Sequence, residues 1–416
     1  MGWGVRKVFS AAVVAVVATV AVGPAVCAYP AQRLRWSLLD VRLLATDVLI
    51  MTGTDMHSVD PTWVSLAVED YITPTLGGGQ YTAIPLLTPA EFWPFGGLWD
   101  ETLDGSVAEG TAVLTAAIAE TRARHESEGS PDVPFVVFGY SQSAIIITAE
   151  KRRLAEITAQ GQPTPPVSFV LLGNPGRPNG GIHARFPGLR LPGWTFSGAT
   201  PTDTGFPTID VARQYDPFAD FPRYPLNPFA LANTLIALFY EHDYGRASLD
   251  PHDPRFDPAT IVQHYGDTTY YLIPAEHLPL LQPLRDLGLA PRLLDAVEPA
   301  LRVLVELGYD RALPYGTPAP AGLSAPLDLP KLQSDLAEAV QEGFGLWEAA
   351  RGSHADGLPS SRPTSRREPD GRSVALTPGG PALGPSVVEN RHRAGQPGRG
   401  SVDLDRETGH LEAVRR

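Results

Sequence analysis

The residues with the clearest capacity for chemistry lie in Phe138-Gly139-Tyr140-Ser141-Gln142-Ser143-Ala144. An apolar run, Val133 to Phe138, enters Gly-x-Ser-x-Ser, and a helical pattern, Ala144 to Leu154, leaves it. A serine nucleophile on a sharp strand-to-helix turn needs small residues two positions to either side, because the turn is strained and crowded. Gly139 and Ser143 meet that need, with Ser143 standing where a second glycine is usual. The following helix would point its N-terminal N–H groups and positive potential at the site. The backbone N–H of Gln142 is then the expected first half of an oxyanion hole. The chemistry implied is acyl transfer through a covalent ester on Ser141.

Such a serine needs a base, and the base needs an orienting acid. The sequence has ten histidines. His277 follows the apolar run Thr268–Ile273, the position expected of a base on the loop after a late strand. His264 precedes that run and His242 follows a helical segment, so both are rivals in poorer positions. For the acid, Asp216 directly follows Val211–Tyr215, Asp220 is the main rival, and Asp210 sits at the wrong end of that strand. The loop Thr52-Gly53-Thr54-Asp55 after the first apolar run is the expected source of the second oxyanion donor, at Thr54. His242, Asp243, Asp250, His252 and Asp253 superficially suggest metal ligands, but they lack an established ligand spacing. No metal and no cofactor is expected. Trp93, Trp99 and Trp194 are expected to pack the core or line the pocket rather than stack on a sugar.

These residues need a scaffold. Short apolar runs at 47–51, 133–138, 167–172, 209–215 and 268–273 read as buried strands. Helical patterns cover 105–124, 144–154, 231–240, 280–309 and 329–350. Continuously apolar strands alternating with helices predict an α/β fold with a mostly parallel sheet covered on both faces. Two long irregular stretches, 176–207 and 221–263, are of the kind that shapes a binding site or a lid.

The ends of the chain read differently. Arg6 and Lys7 precede an apolar segment ending in Val26-Cys27-Ala28, a secretory pattern with cleavage expected after Ala28; an uncleaved anchor is the alternative. Cys27 is the sole cysteine, so a chain starting at Tyr29 could form neither a disulfide nor a thiolate site. Loss of Arg6 and Lys7 takes the net charge from −13 to −15, which disfavours nucleic acid as a partner. Residues 352–416 contain no Phe, Trp, Tyr or Ile, so they are expected to be a disordered tail.

Several motifs together resemble one family. Leu49–Thr54 (LIMTGT), Gly139–Ala144 (GYSQSA), Leu172–Ile182 (LGNPGRPNGGI), Gln214–Tyr240 and the sequence LGYDRA ending at Ala312 resemble the PE-PPE domain, a mycobacterial serine α/β-hydrolase akin to cutinases. The resemblance covers about 45–312. It implies an α/β-hydrolase fold with long loop or lid insertions, and by motif match it places the triad on Ser141, Asp216 and His277. The expected organisation is a signal peptide or anchor at 1–28, a lead-in at 29–44, the hydrolase domain at 45–312, a Pro-rich linker and helix at 313–351, and the tail. With an export signal in place of a PE or PPE helical module, the chain resembles the standalone, cutinase-like branch, although cutinases usually carry disulfides. That branch is associated with envelope lipids, including acyl transfer between trehalose esters. The function expected is therefore an exported serine esterase or acyltransferase, working at the cell envelope or a membrane surface on acyl-ester lipids or glycolipids. The alternatives are a plain carboxylesterase of short to medium acyl esters and a catalytically silent lipid-binding module.

Overall fold

The computed structural model describes residues 45–355. The expected signal or anchor at 1–28, the lead-in at 29–44 and all but the first residues of the expected tail lie outside them. Among the described residues, no helix is long and apolar enough to cross a membrane.

Seven strands form one sheet: β1 (Thr46–Ile50), β2 (Tyr81–Pro85), β3 (Phe135–Tyr140), β4 (Val167–Leu172), β5 (Thr208–Arg213), β6 (Ile261–Tyr265) and β7 (Thr268–Ile273). Their order is β2-β1-β3-β4-β5-β7-β6, parallel except for the β6–β7 hairpin. The central strands are long apolar runs because both of their faces are covered. Alternate residues go to opposite sides. Val48, Ile50, Val136, Phe138, Val170 and Leu172 pack with Trp63, Tyr71 and Tyr244 on one face. Leu49, Met51, Val137, Phe169 and Leu171 pack with Leu114, Ile118 and Ile146 on the other. The second face is covered by α1 (Leu103–Ser127) and α2 (Gln142–Ala159).

The strand order reverses between β1 and β3, so the loops leaving their carboxyl ends diverge there. A crevice at such a switch point is where open α/β sheets bind ligands. β3 delivers Ser141 to it and β1 delivers Gly53 and Thr54.

Beyond the sheet, α3 (Pro228–Ala237) is capped by Asn227, whose side chain accepts the N–H groups of Phe229 and Ala230. α4 (Pro291–Glu306) and α5 (Leu329–Ala355) pack on each other so closely at Gly343 that a Cβ there would lie 2.0 Å from the Ala296 carbonyl oxygen.

Several elements differ from the sequence reading. The helical stretch expected over 280–309 is broken into Pro279–Leu281, Gln282–Asp286 and α4, where Gly288 at φ 78° and Pro291 interrupt it. Strands β2 and β6 and the helical turns between Pro61 and Leu76 carry weaker periodicity; β2 and β6 lie at the edges of the sheet, where their residues are half-exposed. The long stretch from Gly176 is built into the body, not draped over the site. Arg177 is fully buried, paired with Asp210 and sandwiched between the rings of Tyr270 and Tyr315 at 5.0 and 4.7 Å. Asp210 is thus the anchor of that layer. Nearby, buried Lys151 bonds Thr208 and Asp267 at 2.7 and 2.8 Å. Burial pushes the Lys151 pKa down, against the pull of Asp267.

Candidate active site

The turn at the end of β3 is strained where a nucleophile elbow must be. Ser141 has φ 56° and ψ −112°, a backbone region that L-residues rarely occupy. The flanking residues explain how it is tolerated. A Cβ on Gly139 would fall 2.9 Å from the Ser143 backbone and 2.6 Å from Ile147. Ser143 accepts the Tyr140 N–H at 2.7 Å and donates its hydroxyl to the Tyr140 carbonyl at 3.0 Å. Serine in place of the usual second glycine therefore ties the turn from the inside.

The histidine that meets Ser141 is His242, not His277. His242 Nε2 lies 2.8 Å from Ser141 Oγ. Its Nδ1 lies 2.9 and 3.0 Å from the two oxygens of Asp216, which is fully buried. Asp216 also accepts the Tyr244 hydroxyl at 2.7 Å and the N–H groups of Phe218 and Ala219 at 2.8 and 3.2 Å. Burial alone would raise the Asp216 pKa, but His242 and these donors outweigh it and hold it below the usual carboxylate value. With Asp216 ionised, the proton on the imidazole is held at Nδ1 and the lone pair at Nε2 faces the serine hydroxyl.

The loop that carries His242 is fixed from below by the end of β5. Arg213 donates to the carbonyls of Tyr240 and Asp243 at 3.1 and 2.8 Å and pairs with the Glu241 carboxylate at 2.8 Å. Its own N–H donates to the Tyr244 hydroxyl at 3.1 Å. Tyr140 stacks on the imidazole, with ring centroids 5.1 Å apart, and its hydroxyl donates to the His242 carbonyl. Phe218 covers another side at 4.6 Å.

The other sequence candidates fall as follows. His277 sits beside the α4 carboxylates, with Nδ1 3.2 Å from Glu298. His264 is on edge strand β6, bonded to Thr269 at 2.9 Å. Asp220 accepts the Tyr215 N–H at 2.8 Å and pairs with Arg311 at 2.6 Å. Gln142 begins α2, where a helix has no carbonyl of its own for the first N–H groups. Its side chain is locked by donation to the Glu91 carbonyl at 2.6 Å. Gly53 lies so near that a Cβ there would be 3.3 Å from the Ser141 Cβ, which brings the Thr54 loop to the site.

The residues weighed as metal ligands are dispersed. His242 is on Asp216, Asp243 pairs with Arg246 at 2.9 Å, Asp250 accepts the His252 N–H at 2.9 Å, and Asp253 pairs with Arg255 at 2.7 Å. Trp194 stacks on Phe196 at 4.6 Å, as a packing residue, whereas Trp99 stands in solvent, against the sequence reading.

The family model of the PE-PPE domain matches residues 79–310, more than half of the sequence and inclusive of Ser141, Asp216 and His242. The chain belongs to the PE-PPE domain family. It is 45% identical over 289 residues to the protein named "Esterase PE16" of Mycobacterium tuberculosis (strain ATCC 25618 / H37Rv), covering 66% of this chain and 50% of that protein. It is 31% identical over 294 residues to "SL1278 acyltransferase Chp1" of the same strain, covering 68% and 67%. With "Diacyltrehalose acyltransferase Chp2" it shares 31% identity over 225 residues, 50% of this chain and 58% of that protein. The chain thus spans about half the length of PE16. Among solved structures, a cutinase-like protein from Cryptococcus sp. is 25% identical over 42% of this chain and 79% of that one, with a TM-score of 0.28.

Proposed function

We propose that this PE-PPE chain is a serine esterase or acyltransferase acting on acyl esters, with Ser141 as nucleophile, His242 as general base and Asp216 as the group that orients it. The observation that carries this reading is the 2.8 Å approach of His242 Nε2 to Ser141 Oγ while Nδ1 rests on buried Asp216. In the first half-reaction Ser141 Oγ attacks the ester carbonyl carbon as its proton passes to His242 Nε2. The Nδ1–H stays on Asp216 and the carboxylate offsets the imidazolium charge. Collapse of the tetrahedral species breaks the ester C–O bond, and the leaving alkoxide takes the proton from Nε2. In the second half an acceptor hydroxyl gives its proton to His242 Nε2 and attacks the acyl carbon; the acyl C–Oγ bond then breaks and Ser141 Oγ takes the proton back from Nε2. The N–H of Gln142 is the first oxyanion donor and the Thr54 backbone the second in this reading.

The names of the relatives, an esterase and two acyltransferases, one of them for diacyltrehalose, favour acyl esters as substrates and leave both water and a sugar hydroxyl as acceptors. The reading includes export, motivated by the Arg6-Lys7 and apolar pattern of the first 28 residues; fractionation of cells making the tagged full chain tests it, and retention in the cytosol would refute it. The activity itself is tested by supplying a diacyltrehalose as sole substrate and analysing products. A more highly acylated trehalose is the acyltransferase result, and free fatty acid alone the esterase result. No turnover of either that ester or p-nitrophenyl butyrate would contradict the proposal.

A further inference from the structure

The helix that leads into His242 is apolar on the wrong side. Between Arg223 and Glu241 there is no charged residue. The inward face of α3 is used, with Ala230, Asn233, Thr234 and Ala237 buried. Its outward face and C-terminal extension, however, present Leu231, Leu235, Leu238 and Phe239, with Leu235 62% and Phe239 74% exposed. A helix apolar all round is normally covered.

A second apolar element borders the other side of Ser141. The stretch 86–99 is tied to the site by the Gln142 side chain on the Glu91 carbonyl and by the Asp55 N–H on the Ala90 carbonyl at 2.8 Å. It exposes Leu87, Phe95, Leu98 and Trp99, the last 97% exposed. Its one charged side chain, Glu91, folds back to accept the Glu101 N–H. Exposed apolar surface of this kind, rimmed by polar residues, marks a contact with another apolar phase.

We propose that these two lips, one on the histidine side and one on the oxyanion side of Ser141, seat the protein on the surface of an uncharged acyl-ester aggregate, the lipid phase of its own substrate. This deepens the acyl-ester reading above and rests on it. Charge selects the occupant. Neither lip carries Lys or Arg, and the chain bears −13, so an anionic bilayer offers no attraction. The same net charge opposes pairing with a second copy. Trp99 and Phe239 are the residue types that anchor at an apolar–aqueous boundary. Docking there would present the crevice at β1 and β3 to acyl chains without their passing through water.

The test uses the full chain carrying Ser141→Ala, so that binding is read without turnover, against the same chain with Trp99→Ser, Leu235→Ser and Phe239→Ser added. Adsorption to a triolein emulsion is measured by sedimentation and by tryptophan emission. The expected result is at least a tenfold weaker adsorption of the lip variant and a blue shift of emission in the parent alone. With Ser141 restored, both forms should hydrolyse soluble p-nitrophenyl acetate within twofold of each other. If the triple variant does not fold, Trp99→Ser alone should abolish most of the blue shift. Equal adsorption of parent and variant, preference for phosphatidylglycerol vesicles over triolein, or a dimer that the lip substitutions dissociate would each overturn the proposal. Absence of p-nitrophenyl acetate hydrolysis by the chain with Ser141 restored, with adsorption of the parent intact, would refute the esterase reading and leave the docking surface standing.

Discussion

His242 and His277 both lie against carboxylates, and they differ in what else the carboxylate holds. Asp216 meets neutral donors: the Tyr244 hydroxyl and the N–H groups of Phe218 and Ala219. Among the described residues its ion-pair partner is His242, whose side chain is 13% exposed and whose second nitrogen is on Ser141. Glu298, beside His277, already accepts from Arg285 and Arg302 at 2.7 Å each and from the Leu278 N–H at 2.7 Å. His277 is 34% exposed, and Arg285 also reaches Asp295 at 2.8 Å, so a cation fills the middle of that cluster. A carboxylate reserved for one imidazole can stabilise the charge that appears on it during turnover. A carboxylate already neutralised by two guanidinium groups holds architecture together instead. Proximity of His to Asp or Glu therefore does not identify a catalytic pair; the rest of the carboxylate's partners do.

The comparison is broken most directly by exchanging the histidines' fates. His242→Ala should lower kcat/KM for p-nitrophenyl butyrate by about 10⁴-fold or more, the scale of losing a triad base. His277→Ala should leave kcat/KM within about threefold, an exposed-site effect. A large loss in the second variant with a small one in the first would reverse the assignment.

The acids sharpen it. Asp216→Asn should cost about 10⁴-fold in kcat, because an amide cannot hold the imidazole in the required tautomer. Asp220→Asn removes the charge from the Arg311 pair and should lower stability by about 1–3 kcal/mol in chemical denaturation, with near-normal kcat. The pair of denaturation curves and rate constants separates the two roles.

Tyr244→Phe is the mildest change. It removes one donor from a buried carboxylate, about 1.5–3 kcal/mol for a bond to a charged group. Asp216 has a lowered pKa in the folded protein, so its contribution to stability is present above the unfolded carboxylate pKa and is lost as pH falls through the folded value. Phenylalanine raises that folded pKa. Acid unfolding followed by circular dichroism should therefore begin at higher pH in the variant, and an unchanged midpoint would show that Tyr244 does not support Asp216.

How much of this was legible in the sequence follows from how local each feature is. Gly139, Ser141 and Ser143 announce the elbow because small residues at fixed offsets are a condition of the turn itself. Asp216 was visible for a similar reason: it directly follows an apolar strand that must be buried. The central parallel sheet was readable from its continuous apolar runs, while edge strands β2 and β6 were not, since half-exposed strands lack that signature. The histidine beside Ser141 was not legible: His277 stands where a late strand ends, whereas His242 reaches Ser141 through tertiary clamps, Arg213 and Tyr140, that no local pattern encodes. One signal did point to it: His242 lies in the long stretch 221–263, and stretches of that length usually shape a site.

The central claim is that His242 and Asp216 activate Ser141. It is tested most directly by labelling wild type, His242→Gln and His277→Gln with a fluorophosphonate probe and locating the adduct by mass spectrometry. The account predicts an adduct on Ser141 in wild type and in His277→Gln, and its near-complete loss in His242→Gln. Labelling that survives in His242→Gln and disappears in His277→Gln, or an adduct on a serine other than Ser141, would contradict it.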